Sequence, residues 1–262
     1  MAYKPFDLTG KVALVTGGNS GIGLGMADAM AQAGADLVIW GTNEKKNAAA
    51  EAQLKAHGRK VLTQKVDVAD EAAVKAGMAE AVAKMGRVDN VVANAGVGGG
   101  APSFSEFSTE TYRRVLAVNL DAPVFLASRF GRGMAERGYG RILSITSIHG
   151  LRGEEQSLPY DVSKAGLEGA TQTLAIELGP SGVLVNALAP GFVNTRMSVV
   201  DGRNELESEW FETIYREHRK LPLRRAAEPD EIAAHAAWLC SEENTYLTGQ
   251  VVTVDGGVTI TF

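Results

Sequence analysis

The 262-residue sequence has a single cysteine, Cys240, so it can build neither an internal disulfide framework nor a metal site of several thiolates. That thiol ends an apolar helical stretch, where a free cysteine packs as a small hydrophobe. No run reaches the roughly 18 apolar residues of a membrane span. The first eleven residues hold Pro5 and Asp7 but no apolar signal segment, so a cytoplasmic protein without a membrane span is expected. A basic excess is also lacking, since 26 Lys and Arg against 31 Asp and Glu leave a formal net charge of -5. The densest basic stretch, 216–225, is interrupted by Glu217 and three apolar residues. It reads as a solvated face or a lid, and no nucleic-acid partner is expected. No Pro/Gly/Ser-rich tract, charge block or repeat divides the chain, and no metal is expected. Residues 1–262 therefore read as one domain with a substantial core.

What is present is an alternation. Short apolar runs at 12–15, 37–40, 61–66, 88–93, 141–146, 183–189 and 250–254 read as strands buried on both faces. Between them lie helical patterns at 21–33, 44–57, from a cap at Asp70 to about 85, and at 109–137, 159–178 and 229–240. Continuous apolar strands separated by helices predict an α/β fold. The expected form is a Rossmann-type doubly wound domain, a parallel sheet of about seven strands with helices on both faces. Ligands bind such sheets at the carboxyl ends of the strands, near the switch point, so the loops after the strands are where chemistry is sought.

The first such loop is Thr16-Gly17-Gly18-Asn19-Ser20-Gly21-Ile22-Gly23. Glycines let a backbone turn sharply and approach a ligand closely, and the helix that follows offers free N–H groups to a pyrophosphate. The spacing is G-x-x-x-G-x-G rather than G-x-G-x-x-G. At the end of the second strand, where an NAD site commonly places an acid for the ribose, stand Gly41, Thr42 and Asn43. Neither a carboxylate that would repel a 2′-phosphate nor an arginine that would anchor one is there. Asp67, followed by Val68 after the third strand, is a candidate acceptor for the adenine amino group.

Tyr160-Asp161-Val162-Ser163-Lys164 puts Tyr160 and Lys164 four apart on one helix face. A phenol with its ordinary pKa near ~10 is a poor base at neutral pH. A neighbouring ammonium lowers that value, and the pair can then exchange a proton with a hydroxyl or carbonyl. Ser147, thirteen residues before Tyr160, ends the fifth strand at the mouth of the expected crevice and can hold the reacting oxygen.

Thr16 to Gly23, Ala93-Asn94-Ala95-Gly96, Ser147, Tyr160 to Lys164, Pro190-Gly191 and Asp255-Gly256-Gly257 stand in the order and spacing of the short-chain dehydrogenases/reductases, which the sequence resembles over nearly its whole length. The resemblance implies an NAD(P)-dependent oxidoreductase that interconverts a secondary alcohol and a ketone by hydride transfer. It implies a tetrad of Asn119, Ser147, Tyr160 and Lys164, with Tyr160 as acid/base, Lys164 also on the nicotinamide ribose, and Asn119 holding a water in a proton relay. Cofactor contacts are implied at Gly17, Asn19, Ser20, Gly21, Ile22, Gly23, Thr42, Asn43, Asp67, Val68, Asn94, Ala95, Gly96, Tyr160 and Lys164. Pro190, Gly191 and Val193 would line the nicotinamide, with Thr195 on its carboxamide or the phosphates. One departure is Ala93, where the family usually has the first of two asparagines. NAD(H) and NADP(H) both stay open.

The substrate is less legible. The segment 148–159 is rich in polar residues and borders the substrate. Residues 195–225 are expected to form a helical lid, with Trp210, Phe211, Ile214 and Tyr215 as its apolar face. A secondary alcohol or ketone ranks first, then a sugar or cyclic polyol, then a 3-oxoacyl thioester. A non-catalytic dinucleotide-binding regulator is the alternative of a different class, and the intact tetrad argues against it. The apolar segments at 250–254 and 258–262 suggest a surface covered by a partner, and a homotetramer is expected.

Overall fold

The computed structural model describes residues 6–98 and 106–262. Seven parallel strands form one sheet in the order β3-β2-β1-β4-β5-β6-β9. They are β1 (Val12–Thr16), β2 (Asp36–Gly41), β3 (Val61–Lys65), β4 (Asn90–Ala93), β5 (Gly140–Ile145), β6 (Val183–Pro190) and β9 (Val251–Val254). The chain leaves β1 in one direction to lay down β2 and β3, then returns to the other side of β1 for β4. That reversal opens a crevice at the carboxyl ends of β1 and β4.

All five residues of β1 are buried, and their alternation sorts them between two cores. Ala13 and Val15 pack on one face with Met26, Met30, Ile232 and Leu239. These come from α1 (Gly21–Gln32) and α8 (Pro229–Leu239), and α2 (Glu44–Lys55) adds Ala50 and Leu54. Val12 and Leu14 pack on the other face with Val74, Leu126, Phe130, Met134 and Ala175. These belong to α3 (Glu71–Met85), α5 (Ala122–Arg137) and α6 (Leu158–Leu178). Burial on both faces is why the inner strands read as unbroken apolar runs; the edge strands β3 and β9, expected to be buried as well, are only partly covered because each has a neighbouring strand on one side only. Asp70 caps α3 by accepting from the N–H groups of Ala72 and Ala73. Cys240 is buried at the end of α8, and that burial pushes its thiol up to about 12.

Two expected helices differ. The stretch 109–137 is not continuous. It forms α4 (Thr109–Leu116), then a π-helical turn over Ala117–Asp121, then α5. Pro123 has no N–H to return to the carbonyl of Asn119, so the α-helical ladder is broken at a residue that matters below. The lid is not one helix either. It is a 3-10 turn (Arg196–Ser198), a two-strand hairpin of β7 (Val199–Val200) and β8 (Arg203–Asn204), a second 3-10 turn (Glu205–Glu207), α7 (Glu209–Phe211) and a π-helical turn (Glu212–Glu217). Asp201 and Gly202 both take positive φ and turn the hairpin. Asn204 and Ser208 then each start a new short turn by capping. Phe211 and Tyr215 do bury, with Phe192 stacked edge-on against both at 5.1 and 4.6 Å between ring centroids, while Trp210 stays half exposed. Among the described residues no helix is long and apolar enough to cross a membrane.

Candidate active site

The glycine turn lies at the switch point. Gly17 and Gly21 have φ of 63° and 54°, a backbone that side-chain-bearing residues rarely adopt. A Cβ at Gly23 would overlap the Gly17 carbonyl and the Asn94 amide. Ser20 sits at the N-cap of α1 but makes no side-chain capping bond, and the first turn holds no acid. Four backbone N–H groups therefore begin a helix whose partial positive charge is unanswered by the protein.

Asn94 and Ala95 hold this turn rather than extend from it. Both of their N–H groups donate to the Thr16 hydroxyl at 3.0 Å, and the Asn94 side chain donates to the Thr16 carbonyl at 2.9 Å. Asn19 donates at 2.7 Å to Asn47, which in turn donates to the carbonyls of Gly41 and Gln64. A Cβ at Gly41 would overlap the Asn19 amide and meet the Asn47 carbonyl oxygen at 2.6 Å. An acid at that position thus has no room while Asn19 and Asn47 are paired. Asn47, buried inside the Ala-rich α2, carried no spacing signal in the sequence. Asn43 uses its side-chain oxygen to cap α2 on the N–H of Lys46, Thr42 is exposed, and Asp67 accepts from the N–H of Ala69. Val68 lines a separate small crevice with Ala117, Asp121 and Phe125.

A cavity of about 520 Å³ opens beside the turn. Ile22, Asn94 and Gly96 border one end, Ser147, Tyr160 and Lys164 form one wall, and Pro190, Gly191, Val193 and Thr195 form another. The lid contributes Met197, Leu206, Trp210 and Phe211. The loops after β1, β4, β5 and β6 thus meet in one space, with the predicted nicotinamide-side residues on its lining.

Ser147 and the Tyr160 phenol share the cavity wall, and the Ser147 hydroxyl accepts from the N–H of His149 at 3.2 Å. Lys164 is buried, with Nζ donating to the Ile145 carbonyl at 2.7 Å and standing 5.4 Å from the Tyr160 ring centroid. Burial lowers the Lys164 ammonium to about 8. Burial also raises the Tyr160 phenol; the Ser147 hydroxyl opposes this and the Asp161 carboxylate adds to it. The expected depression of Tyr160 by the ammonium is therefore not met in this structure. Desolvation of the ring dominates, and Lys164 is turned toward a strand-end carbonyl.

Asn119 is fully buried and has spent its side chain. Its amide nitrogen donates to the Val97 carbonyl at 3.0 Å and to Ser163 at 3.2 Å, and its oxygen accepts from the Val97 N–H at 2.9 Å. Its main-chain carbonyl cannot accept from residue 123, which is proline.

One residue of the polar segment 148–159 lies deeper than its sequence suggested. His149 lines the cavity, packs edge-on to Tyr160 at 5.4 Å, and has a carboxylate on each nitrogen, Asp161 at 2.7 Å and Glu154 at 3.0 Å. Burial alone would lower the imidazolium, but the bonds to Glu154 and Asp161 outweigh it and hold the pKa above its ordinary value.

Residues 17–259 match the family model described as enoyl-(acyl carrier protein) reductase. A 3-oxoacyl-[acyl-carrier-protein] reductase from Chlamydia muridarum is 38% identical over 253 residues, which is 96% of this chain and 98% of the relative. Among solved structures, a gluconate 5-dehydrogenase from Burkholderia cenocepacia, in complex with NADP and tartrate, superposes with a TM-score of 0.90 at 31% identity, covering 98% of each chain. A 7α-hydroxysteroid dehydrogenase complexed with NADH and a 7-oxo bile acid superposes with a TM-score of 0.88 at 30% identity, covering 97% of this chain and 96% of the other.

Proposed function

The chain belongs to the short-chain dehydrogenase/reductase family and is an NAD(P)-dependent oxidoreductase acting on CH–OH and C=O groups, and from that premise we propose how its residues divide the work. Tyr160 is the acid/base, Ser147 holds the reacting oxygen, Lys164 binds the nicotinamide ribose beside the phenol, and Asn119 anchors a water on the relay from Lys164. The observation that carries this reading is the convergence of Ser147, Tyr160 and Lys164 on one wall of a cavity that opens at the uncapped start of α1.

The site fits a dinucleotide. The positive-φ Gly17 and Gly21, and a Gly23 that tolerates no Cβ, leave room for a pyrophosphate against free N–H groups. Asn19, Ser20, Gly21, Ile22 and Gly23 would hold it, Thr42, Asn43, Asp67 and Val68 the adenosine end, and Gly96, Pro190, Gly191, Val193 and Thr195 the nicotinamide end. The bound cofactor supplies the hydride acceptor or donor. In alcohol oxidation Tyr160 takes the hydroxyl proton while Ser147 donates to or accepts from the same oxygen; in ketone reduction Tyr160 gives the proton back. The lid and Phe192 exclude water from the reacting carbon.

A secondary alcohol or ketone is the substrate class we assign, with sugar or polyol oxidation next; a 3-oxoacyl thioester is the further alternative. Nicotinamide absorbance with a panel of alcohols, polyols, ketones and a 3-oxoacyl thioester tests the assignment. Cofactor reduction or oxidation with at least one member supports it. Tight cofactor binding without any turnover would instead support a non-catalytic dinucleotide-binding protein. The same assay with both cofactors should show that NAD and NADP are used within about a thousandfold of each other, roughly 4 kcal/mol, because Gly41, Thr42 and Asn43 carry no charge. A larger preference would mean that a charge elsewhere in the fold reaches the ribose.

We also assign a homotetramer in the cytoplasm. Ile176, Tyr246, Ile260 and Phe262 are exposed, and β9 leaves the sheet edge open, a surface that asks for a partner. Sedimentation equilibrium should give four times the 27.7 kDa chain mass. A species at the chain mass itself, at micromolar concentration, would overturn this.

A further inference from the structure

Three residues beside Tyr160 form a closed ring of two hydrogen bonds and one ion pair. Asp161, on α6, holds His149 Nδ1 with one carboxylate oxygen at 2.7 Å and accepts from the backbone N–H of Glu154 with the other at 3.0 Å. His149 Nε2 then meets the Glu154 carboxylate at 3.0 Å and closes the ring. Glu154 is thus held twice, by its main chain on Asp161 of α6 and by its side chain on His149. Its side chain remains half exposed and lines the cavity.

The charges on this wall are one-sided. Glu154, Glu155 and Glu205 line the cavity, whereas its only cations among the described residues are Lys164 and His149. Lys164 is buried on the Ile145 carbonyl, and His149 is shared between two carboxylates. Residues 99–105, outside the described part, contain no charged side chain in the sequence. A carboxylate entering the substrate side would meet carboxylates without a free partner, at a cost that low dielectric enlarges. A hydroxyl would meet an oriented acceptor.

We propose that Glu154 is a specificity-determining residue, positioned by His149, which accepts a hydrogen bond from an uncharged polyhydroxy substrate and discriminates against substrates bearing a carboxylate. This rests on the alcohol-oxidising reading given above. Specificity here has both an attractive and a repulsive element. The groups facing His149 are Asp161 and Tyr160 from α6, and Glu154 and Ser157 from the segment before it, with Ser157 Oγ at 3.4 Å; Glu168 of α6 lies against the neighbouring Gly150. As pH rises through its elevated range, the imidazole loses a proton, one nitrogen turns into an acceptor facing a carboxylate, and the more exposed Glu154 arm is released.

The matched pair D-glucitol and D-gluconate, one six-carbon polyol chain ending in CH₂OH or COO⁻, tests this in the full enzyme. For the wild type, kcat/KM for D-glucitol should exceed that for D-gluconate by at least about tenfold. Glu154→Gln should shrink the ratio to within about threefold, mainly by raising KM for D-glucitol and lowering it for D-gluconate. In the wild type, KM for D-glucitol should rise with pH through the His149 titration, read separately by NMR as the histidine signal that His149→Gln removes; His149→Gln should remove both that rise and the discrimination. Glu136→Gln, the same charge change on the exposed surface of α5, serves as the control and should leave the ratio alone. Equal or better use of D-gluconate by the wild type, or a ratio unmoved by Glu154→Gln, overturns the proposal. Turnover of a simple alcohol such as 2-butanol but of neither polyol overturns the proposal and leaves the enzymatic reading intact, whereas no turnover of any alcohol or ketone overturns both.

Discussion

Tyr160→Phe is expected to lower kcat by roughly 10²–10⁴-fold, the usual worth of a positioned general acid/base, while the cofactor dissociation constant stays within about twofold of wild type. The ring keeps its packing beside Lys164 and edge-on to His149; only the hydroxyl with its transferable proton is lost. The direction of the phenol's shift adds a second signature. Burial raises Tyr160, so alcohol oxidation, which needs the phenolate, should accelerate as pH climbs on the alkaline side. Ketone reduction, which needs the phenol, should fall over the same range. Both limbs should vanish in the variant. Stopped-flow or steady-state rates over pH, with fluorescence titration of the cofactor, measure all of this. Activity within about fivefold of wild type would remove Tyr160 from the chemistry.

Lys164→Met is expected to weaken cofactor binding and to lower kcat by about 10²-fold or more, yet leave the protein at least as stable as wild type. Burial depresses the ammonium from 10.5 to about 8, which corresponds to roughly 3 kcal/mol of penalty on the charged form. The folded value lies below the unfolded one, so the unfolded chain binds the extra proton. The penalty is fully present below pH 8 and is relieved as pH rises toward 10.5. Methionine has no charge to bury, and its gain is offset by roughly 1–2 kcal/mol for the Ile145 carbonyl left without its donor. The balance should raise the melting temperature at pH 7 by a few degrees, about 2–5 °C for a chain of this size. Calorimetry across pH should show the gap to wild type closing toward pH 10. A variant that melts below wild type at pH 7, or that keeps normal cofactor affinity and pH profile, would make Lys164 a structural cation rather than part of the catalytic pair.

Residues marked by local spacing were legible beforehand. The glycine turn, the Tyr160–Lys164 pair and Ser147 at a strand end each follow from the geometry of a single element, and the fold places them on one cavity. Residues whose role depends on distant partners were not. Asn47 sits in a helix that reads only as Ala-rich, and its partners Asn19, Gly41 and Gln64 come from three other segments. His149 stood out only as one of several polar residues in 148–159, because neither Asp161 nor Glu154 is marked in sequence as its partner. The break at Asn119 was half visible. Pro123 forbids the bond to that carbonyl, but apolar periodicity carried the helix pattern across it.

The sequence by itself determined the seven strands, their alternation with helices, the glycine turn and the Tyr160–Lys164 spacing. These are properties of periods, residue types and intervals within one element, which the local backbone enforces wherever the chain goes. Only the tertiary structure decided that Asn19 and Asn47 would leave no room for an acid at Gly41, that the lid would be a hairpin and short turns, and that Lys164 would be dry enough to lose much of its charge preference. It also decided that two carboxylates would hold His149 against Tyr160. Those outcomes depend on desolvation and on contacts between segments far apart in the chain, and both are set by packing that no local pattern encodes.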